Sequence, residues 1–144
     1  DLTPLPNALA ALGLGAKHLH DVTEGGLASA LQELGHAAGK SIVVEKDALP
    51  FDGDSLNLMM ALGGDPLSAS SFGALLIVAS PGQAERMLST QRAFKGPISL
   101  CGHFEEGGGV LLLSEGRRSS LRPTRDIYHR FSEGLLWQKP FKED

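Results

Sequence analysis

The chain has 144 residues, a formal net charge of -4, 42% hydrophobic and 21% charged residues. That composition suits one globular domain, residues 1–144, able to build a core without staples. Acidic and basic residues are mixed with no basic stripe, which argues against nucleic-acid partners, and the longest apolar run, around Gly73–Ala79, is far short of the ~18 residues of a membrane span.

The chain opens DLTPLPNALA, without methionine or a signal-peptide pattern, so it reads as a fragment from which an upstream domain is absent. LPNALAALGLG reads as a short helix ended by Gly13 or Gly15, and AKHLHDV as a strand or extended lead-in. The next helix is expected over Glu24–Ala38. Leu27, Ala30, Leu31, Leu34 and Ala38 recur there at helical spacing on one face. Asp21 and Thr23 are candidate N-caps, and Asp21 with Glu24 has capping-box spacing. SIVVEK is a strand and SLNLMMAL a short helix stopped by Gly63 and Gly64. GALLIVAS, 73–80, is an unbroken apolar run expected to be a strand covered on both faces. PGQAERMLSTQRAF is a helix. PISLCGHFEE and VLLLSEG are strands expected to pair as an antiparallel hairpin through the Gly107–Gly109 turn. A last helix is expected over Asp126–Gly134. Strands alternate with helices until this late hairpin, which gives an α+β or mixed α/β domain with helices covering a sheet.

Two glycines, Gly25 and Gly26, stand where the helix expected over Glu24–Ala38 should begin, and each costs up to ~1 kcal/mol against alanine in a helix. Tight packing, special backbone angles, or a ligand held close to the main chain would each offset that cost. A helix N-terminus carries unpaired N–H groups and partial positive charge, and bare backbone there lets an anion such as a phosphate approach. His20, Asp21 and Thr23 lie beside the turn and could hold a ribose, a phosphate oxygen or a metal-bound water. Against this, the glycines could simply allow close packing. Neither GxGxxG nor GxxxxGK[ST] occurs. A second cluster, GGDPLSASSFGALLI, sets Ser70 and Ser71 before a strand, as anion donors or as ordinary turn caps. His18, His20, His36 and His103 have no zinc-ligand spacing. GxSxG is absent, which disfavours a hydrolase triad. Arg117, Arg118, Arg122 and Arg125 form a loose basic segment read as solvated, with a phosphate or a partner domain as the other reading. Cys101, the single cysteine, lies in the apolar run ISLCGHF and reads as a buried structural thiol suited to a reducing cytoplasm.

HDVTEGGLASALQELGHAAGKSIVVEKDALP and LGGDPLSASSFGALLIVAS together are similar to the C-terminal domain of the aminoimidazole ribonucleotide (AIR) synthetase superfamily, over roughly residues 14–115. The branch most similar is the hydrogenase-maturation one. The resemblance implies a three-layer α/β/α mixed sheet, partly ferredoxin-like. It also implies ATP-dependent activation of a nucleophile through a phosphorylated intermediate, in a two-domain protein. The N-terminal domain would supply the magnesium-binding aspartates, much of the ATP site and the homodimer contact. The C-terminal domain would close the cleft with its glycine turn, which Asp21, Thr23, Gly25 and Gly26 match, with His20 matching the histidine before the aspartate in some members. The hydrogenase-maturation branch ends in a cysteine that receives a carbamoyl group, whereas this sequence closes on KPFKED. The leading expectation is therefore the substrate- and phosphate-facing domain of an ATP-dependent enzyme that is inactive alone. The rival is a non-catalytic binding or scaffold module keeping the fold.

Overall fold

The computed structural model describes residues 3–127 and His129. Its elements follow in the order α1 (Leu5–Gly13), β1 (His18–Val22), α2 (Gly26–Ala38), β2 (Ser41–Glu45), α3 (Gly53–Ala61), β3 (Ala74–Val78), α4 (Pro81–Ser89), β4 (Gly102–Glu105), β5 (Val110–Ser114) and β6 (Arg117–Ser120). The helix expected over 126–134 falls largely outside the described residues. No described helix is long and apolar enough to cross a membrane.

The α+β expectation holds, mixed strand directions included, but the strands divide between two sheets. β1 and β3 form an antiparallel ribbon, with His20 opposite Leu76 and Val22 opposite Ala74. The other four strands lie in the order β4-β2-β5-β6, with β2 antiparallel to β4 and parallel to β5. The expected hairpin of β4 with β5 is therefore corrected: β2 lies between them. Ile42, Val43 and Val44 are almost wholly buried, so β2 is the strand whose two faces both need cover, and the centre of a sheet supplies it. The connection from β4 to β5 crosses the end of β2, where the Ile42 amide donates to the Gly109 carbonyl at 3.1 Å. β3, expected to be covered on both faces, is only half-buried along most of its length. Arg117 and Arg118, read as a loose segment, begin edge strand β6, whose four residues are all exposed.

Alternation along β2 directs Ile42 and Val44 toward α2, where they join Ala28, Leu31, Leu34, Leu67, Val110 and Leu121 in the main core. Of the α2 stripe read from periodicity, Ala30, Leu31 and Leu34 are buried and Leu27 packs against the core, but Ala38 is exposed, and Ala28, outside that stripe, is wholly buried. Val43 points to the opposite face of the sheet, which it shares by register with His103, Glu105, Leu111 and Arg118. There Arg118 of β6 grips Glu105 of β4 in two parallel bonds of 2.8 and 2.9 Å, and His103 lies 3.0 Å from the same carboxylate. This strap joins the two edge strands across a face that carries no charge at Val43 or Leu111. Cys101 is half-buried just before β4, and burial pushes its thiol pKa up, with the Glu45 carboxylate adding to the rise.

Candidate functional site

Strand β1 delivers the chain to a turn at Thr23–Gly25, and α2 starts immediately after it. The helix begins at Gly26, two residues later than the sequence suggests, and its N-cap is Gly25 with no side-chain capping bond. The expected Asp21 and Thr23 caps, and the Asp21–Glu24 capping box, are corrected accordingly. The physical reason lies in the backbone. Gly25 (φ 77) and Gly26 (φ 63) are both left-handed, a conformation that side chains with a Cβ enter at a cost. The two residues swing the chain through a tight turn, closed by the Gly26 amide donating to the Thr23 carbonyl at 3.1 Å, and a cap in extended conformation has no place in it.

Gly26 also lies hard against the segment before β3. A Cβ built there would stand 2.4 Å from the Ala69 carbonyl oxygen and 2.8 Å from that of Leu67. The Ala28 amide, in the first turn of α2, donates to the Leu67 carbonyl at 2.7 Å. Special backbone angles and close packing both answer the question raised by the two glycines. Two of the helix-start amides, those of Gly26 and Ala28, are spent within the chain. Among the described residues the amides of Gly25 and Leu27 meet no backbone acceptor.

The 63–71 segment is the hub that brings the two sequence clusters together. Asp65 folds it into a turn by accepting from the Leu67 amide (3.1 Å) and the Ser68 hydroxyl (2.7 Å). The same carboxylate takes the Thr124 hydroxyl at 3.1 Å, and Ser68 Oγ accepts from the Thr124 amide at 2.9 Å. Ser70 donates to the buried Asp126 carboxylate through its amide at 2.9 Å and also through its hydroxyl. The segment is therefore clamped on one side to α2 and on the other to 124–126. Ser70, expected as an anion donor, has its donors on Asp126, so its role here is to hold this clamp. Ser71 is exposed, and its carbonyl accepts from the Ala74 amide. Asp65 and Asp126 escaped the sequence reading. An aspartate three residues before Ser68 is a local turn signal; Asp126 has none, because its partner is 56 residues away.

The remaining site candidates lie on β1 and in the turn. Asp21 is exposed and Thr23 half-buried. His20 ties β1 to α2: Nε2 lies 3.1 Å from Glu33 Oε2, and Nδ1 lies 2.6 Å from the Asp21 carbonyl oxygen. Gly63, Gly64, Asp65, Thr124, Arg125 and Ile127 line an open pocket of about 380 Å³ beside the hub. Among the described residues no group of three or more His, Cys, Asp or Glu is arranged to hold a metal ion. A phosphate takes donors of the kind that stand at this turn, main-chain N–H groups and a hydroxyl.

The AIR synthase related protein, C-terminal domain family matches residues 4–113. The chain belongs to that family. The match covers α1 to β5 and so includes the glycine turn and the hub. Carbamoyl dehydratase HypE of Rhodobacter capsulatus is 38% identical over 79 residues, which is 55% of this chain and 23% of that protein. The crystal structure of E. coli HypE, a hydrogenase maturation protein, superposes with a TM-score of 0.69 at 28% identity, over 77% of this chain and 36% of that one. A HypE structure in complex with ATP superposes with a TM-score of 0.70 at 26% identity, over 81% of this chain and 38% of that one. This AIR synthase related domain thus spans less than half the length of the HypE proteins it matches.

Proposed function

We propose that this chain is the C-terminal, phosphate-facing domain of an ATP-dependent enzyme that works in hydrogenase maturation in the manner of HypE. The single observation carrying the reading is the turn: Thr23, Gly25 and Gly26 stand at the head of α2 beside two main-chain amides without a backbone acceptor. Support comes from the HypE relatives, one of them solved in complex with ATP, and from a carbamoyl dehydratase among them. Asp21, Thr23, Gly25 and Gly26 would face the cleft between this domain and the rest of the polypeptide. The N–H groups of Gly25 and Leu27, with the Thr23 hydroxyl, would take a phosphate oxygen, and the positive end of α2 would add to that attraction. Magnesium would be held by the other half of the enzyme. A cytoplasmic, homodimeric holoenzyme completes the proposal.

The test uses the whole polypeptide and a substitution that spares the packing. Thr23→Val keeps the side-chain shape and removes the hydroxyl. ATP affinity measured by calorimetry with magnesium should fall about tenfold, the ~1.4 kcal/mol of one hydrogen bond to a charged group, with an unchanged melting temperature. Wild-type affinity in the variant would remove the turn from the nucleotide site. Absence of any ATP binding by the wild-type polypeptide would favour the non-catalytic module.

A further inference from the structure

Helix α1 is inside out. A surface helix normally sends its large apolar side chains to the core and leaves small or polar ones outside. Here the helix faces the fold with small side chains: Ala11 is wholly buried and Ala8 half-buried. Leu5, Leu9 and Leu12 face outward, with 58%, 61% and 55% of their surface exposed. Their spacing of four and then three residues sets them on one stripe, the pattern that a second apolar helix or strand face fills. No residue of Leu5–Gly13 is charged, and the one polar side chain in the helix, Asn7, is occupied: its amide grips the Lys95 backbone with bonds of 3.0 and 2.7 Å. The alanines let α1 lie close to the fold, while the leucines form an exposed ridge that none of the described residues covers.

We propose that this ridge is the seat of an uncharged apolar surface from the part of the same polypeptide that lies outside residues 1–144, a proposal that rests on the family-enzyme reading above. Three leucines at this exposure offer on the order of 300 Å² of apolar surface. Pairing two copies through the ridge alone would bury roughly 600 Å², short of the ~1,000 Å² that marks a stable interface between separate molecules. A surface tethered in the same chain is under no such requirement, because tethering raises its effective concentration to about the millimolar range, and interdomain contacts of about 600 Å² are ordinary. The HypE structures leave ample chain for that role, since this chain matches 36% and 38% of two of them.

Leu9→Glu and Leu9→Met, with Leu12→Gln as a second disruptive change, would be made both in the 144-residue chain and in the whole polypeptide. Thermal melting, sedimentation and ATP binding would be followed in each. The expected result is that Leu9→Glu and Leu12→Gln leave the melting temperature of the 144-residue chain unchanged. Both should lower that of the whole polypeptide by several degrees, with Leu9→Met close to wild type. Equal shifts in the two settings, or none in either, would overturn the proposal. A 144-residue chain that sediments as a dimer, and as a monomer once Leu9 is Glu, would overturn it in favour of a second copy. If the whole polypeptide binds ATP and the ridge variants still behave alike in both settings, the docking idea fails alone. If it does not bind ATP while the ridge variants act as expected, the enzymatic reading fails alone.

Discussion

The close approach at Gly26 makes a quantitative demand on the fold, and Gly26→Ala tests it. Two costs enter. Alanine in the left-handed region at φ 63 costs ~1–2 kcal/mol. Its Cβ would also stand 2.4, 2.8 and 2.9 Å from the Ala69 oxygen, Leu67 oxygen and Ala69 nitrogen. All three are backbone atoms that cannot rotate away, so α2 or the 67–69 segment must move, at the ~1–3 kcal/mol typical of overpacking. The sum, roughly 2–5 kcal/mol, is a large part of the ~5–15 kcal/mol that holds a domain folded. Gly39→Ala is the matching control: its φ is 62, yet an added Cβ there would meet nothing within 4 Å. The change in unfolded-chain entropy on replacing glycine by alanine is common to both and cancels. Urea unfolding followed by far-UV circular dichroism should therefore place Gly26→Ala ~1–3 kcal/mol below Gly39→Ala, that difference being the backbone contact alone. Equal destabilisation of the two variants would refute the idea that 67–69 constrains the head of α2.

Ser70→Ala removes the hydroxyl donor from the buried Asp126 carboxylate and should cost roughly 1–3 kcal/mol by urea unfolding, whereas Ser71→Ala, at an exposed position, should stay within about 0.5 kcal/mol of wild type. The Arg118 guanidinium, and then His103, hold the Glu105 carboxyl down at about 2 from its ordinary 4.5. Because the folded pKa is depressed, the strap stabilises the fold above about 4.5, and that contribution is lost as pH falls from there through 2; the stability-versus-pH curve of Glu105→Gln should be flatter over this window. Cys101, its thiol pKa raised by burial, should react with a maleimide at mildly alkaline pH more slowly than an exposed thiol, and equally fast labelling would contradict its placement. Leu31→Ala, in the core between α2 and the sheet, should cost ~2–5 kcal/mol on unfolding.

What could be read in advance was what is local. The apolar spacing of α2, the Val-rich β2 and the glycines closing α3 write their periods and breaks into adjacent residues, and all three elements are found there, with α2 starting two residues later and α3 two residues earlier than those signals suggest. Strand order was not legible. A glycine turn between two apolar runs looks the same whether the strands pair or flank a third, and only the double-sided burial of Ile42–Val44 decides that β2 takes the centre. β6 was missed because four exposed polar residues on an edge carry no apolar alternation. At the candidate site, the T-x-G-G turn announced itself, but its capping did not follow the usual rule, because two consecutive left-handed residues replace the capping side chain. The partners of the serine segment lie near the far end of the chain and leave no local trace.

The geometry of the turn also dictates which substitutions can speak to ligand binding. Gly26 is fixed by its φ and by the 67–69 backbone, and through Leu67, Ser68 and Ser70 that backbone is tied to Thr124 and Asp126. A disruptive change at Gly26 would strain this chain of contacts and abolish any function of the domain, with or without a phosphate ever resting on the turn. Thr23 is different: the main-chain turn uses its carbonyl, not its hydroxyl. Gly25 is intermediate, since an added Cβ there would meet the Ser29 hydroxyl, which can rotate, but also Ser29 Cβ at 2.9 Å. The packing role of the glycine pair is thus carried mostly by Gly26, while any anion-binding role would fall on the Thr23 hydroxyl and on the amides of Gly25 and Leu27. Because the two roles rest on different atoms, loss of nucleotide binding in a fully stable Thr23 variant bears on chemistry, and loss in a Gly26 variant bears only on architecture.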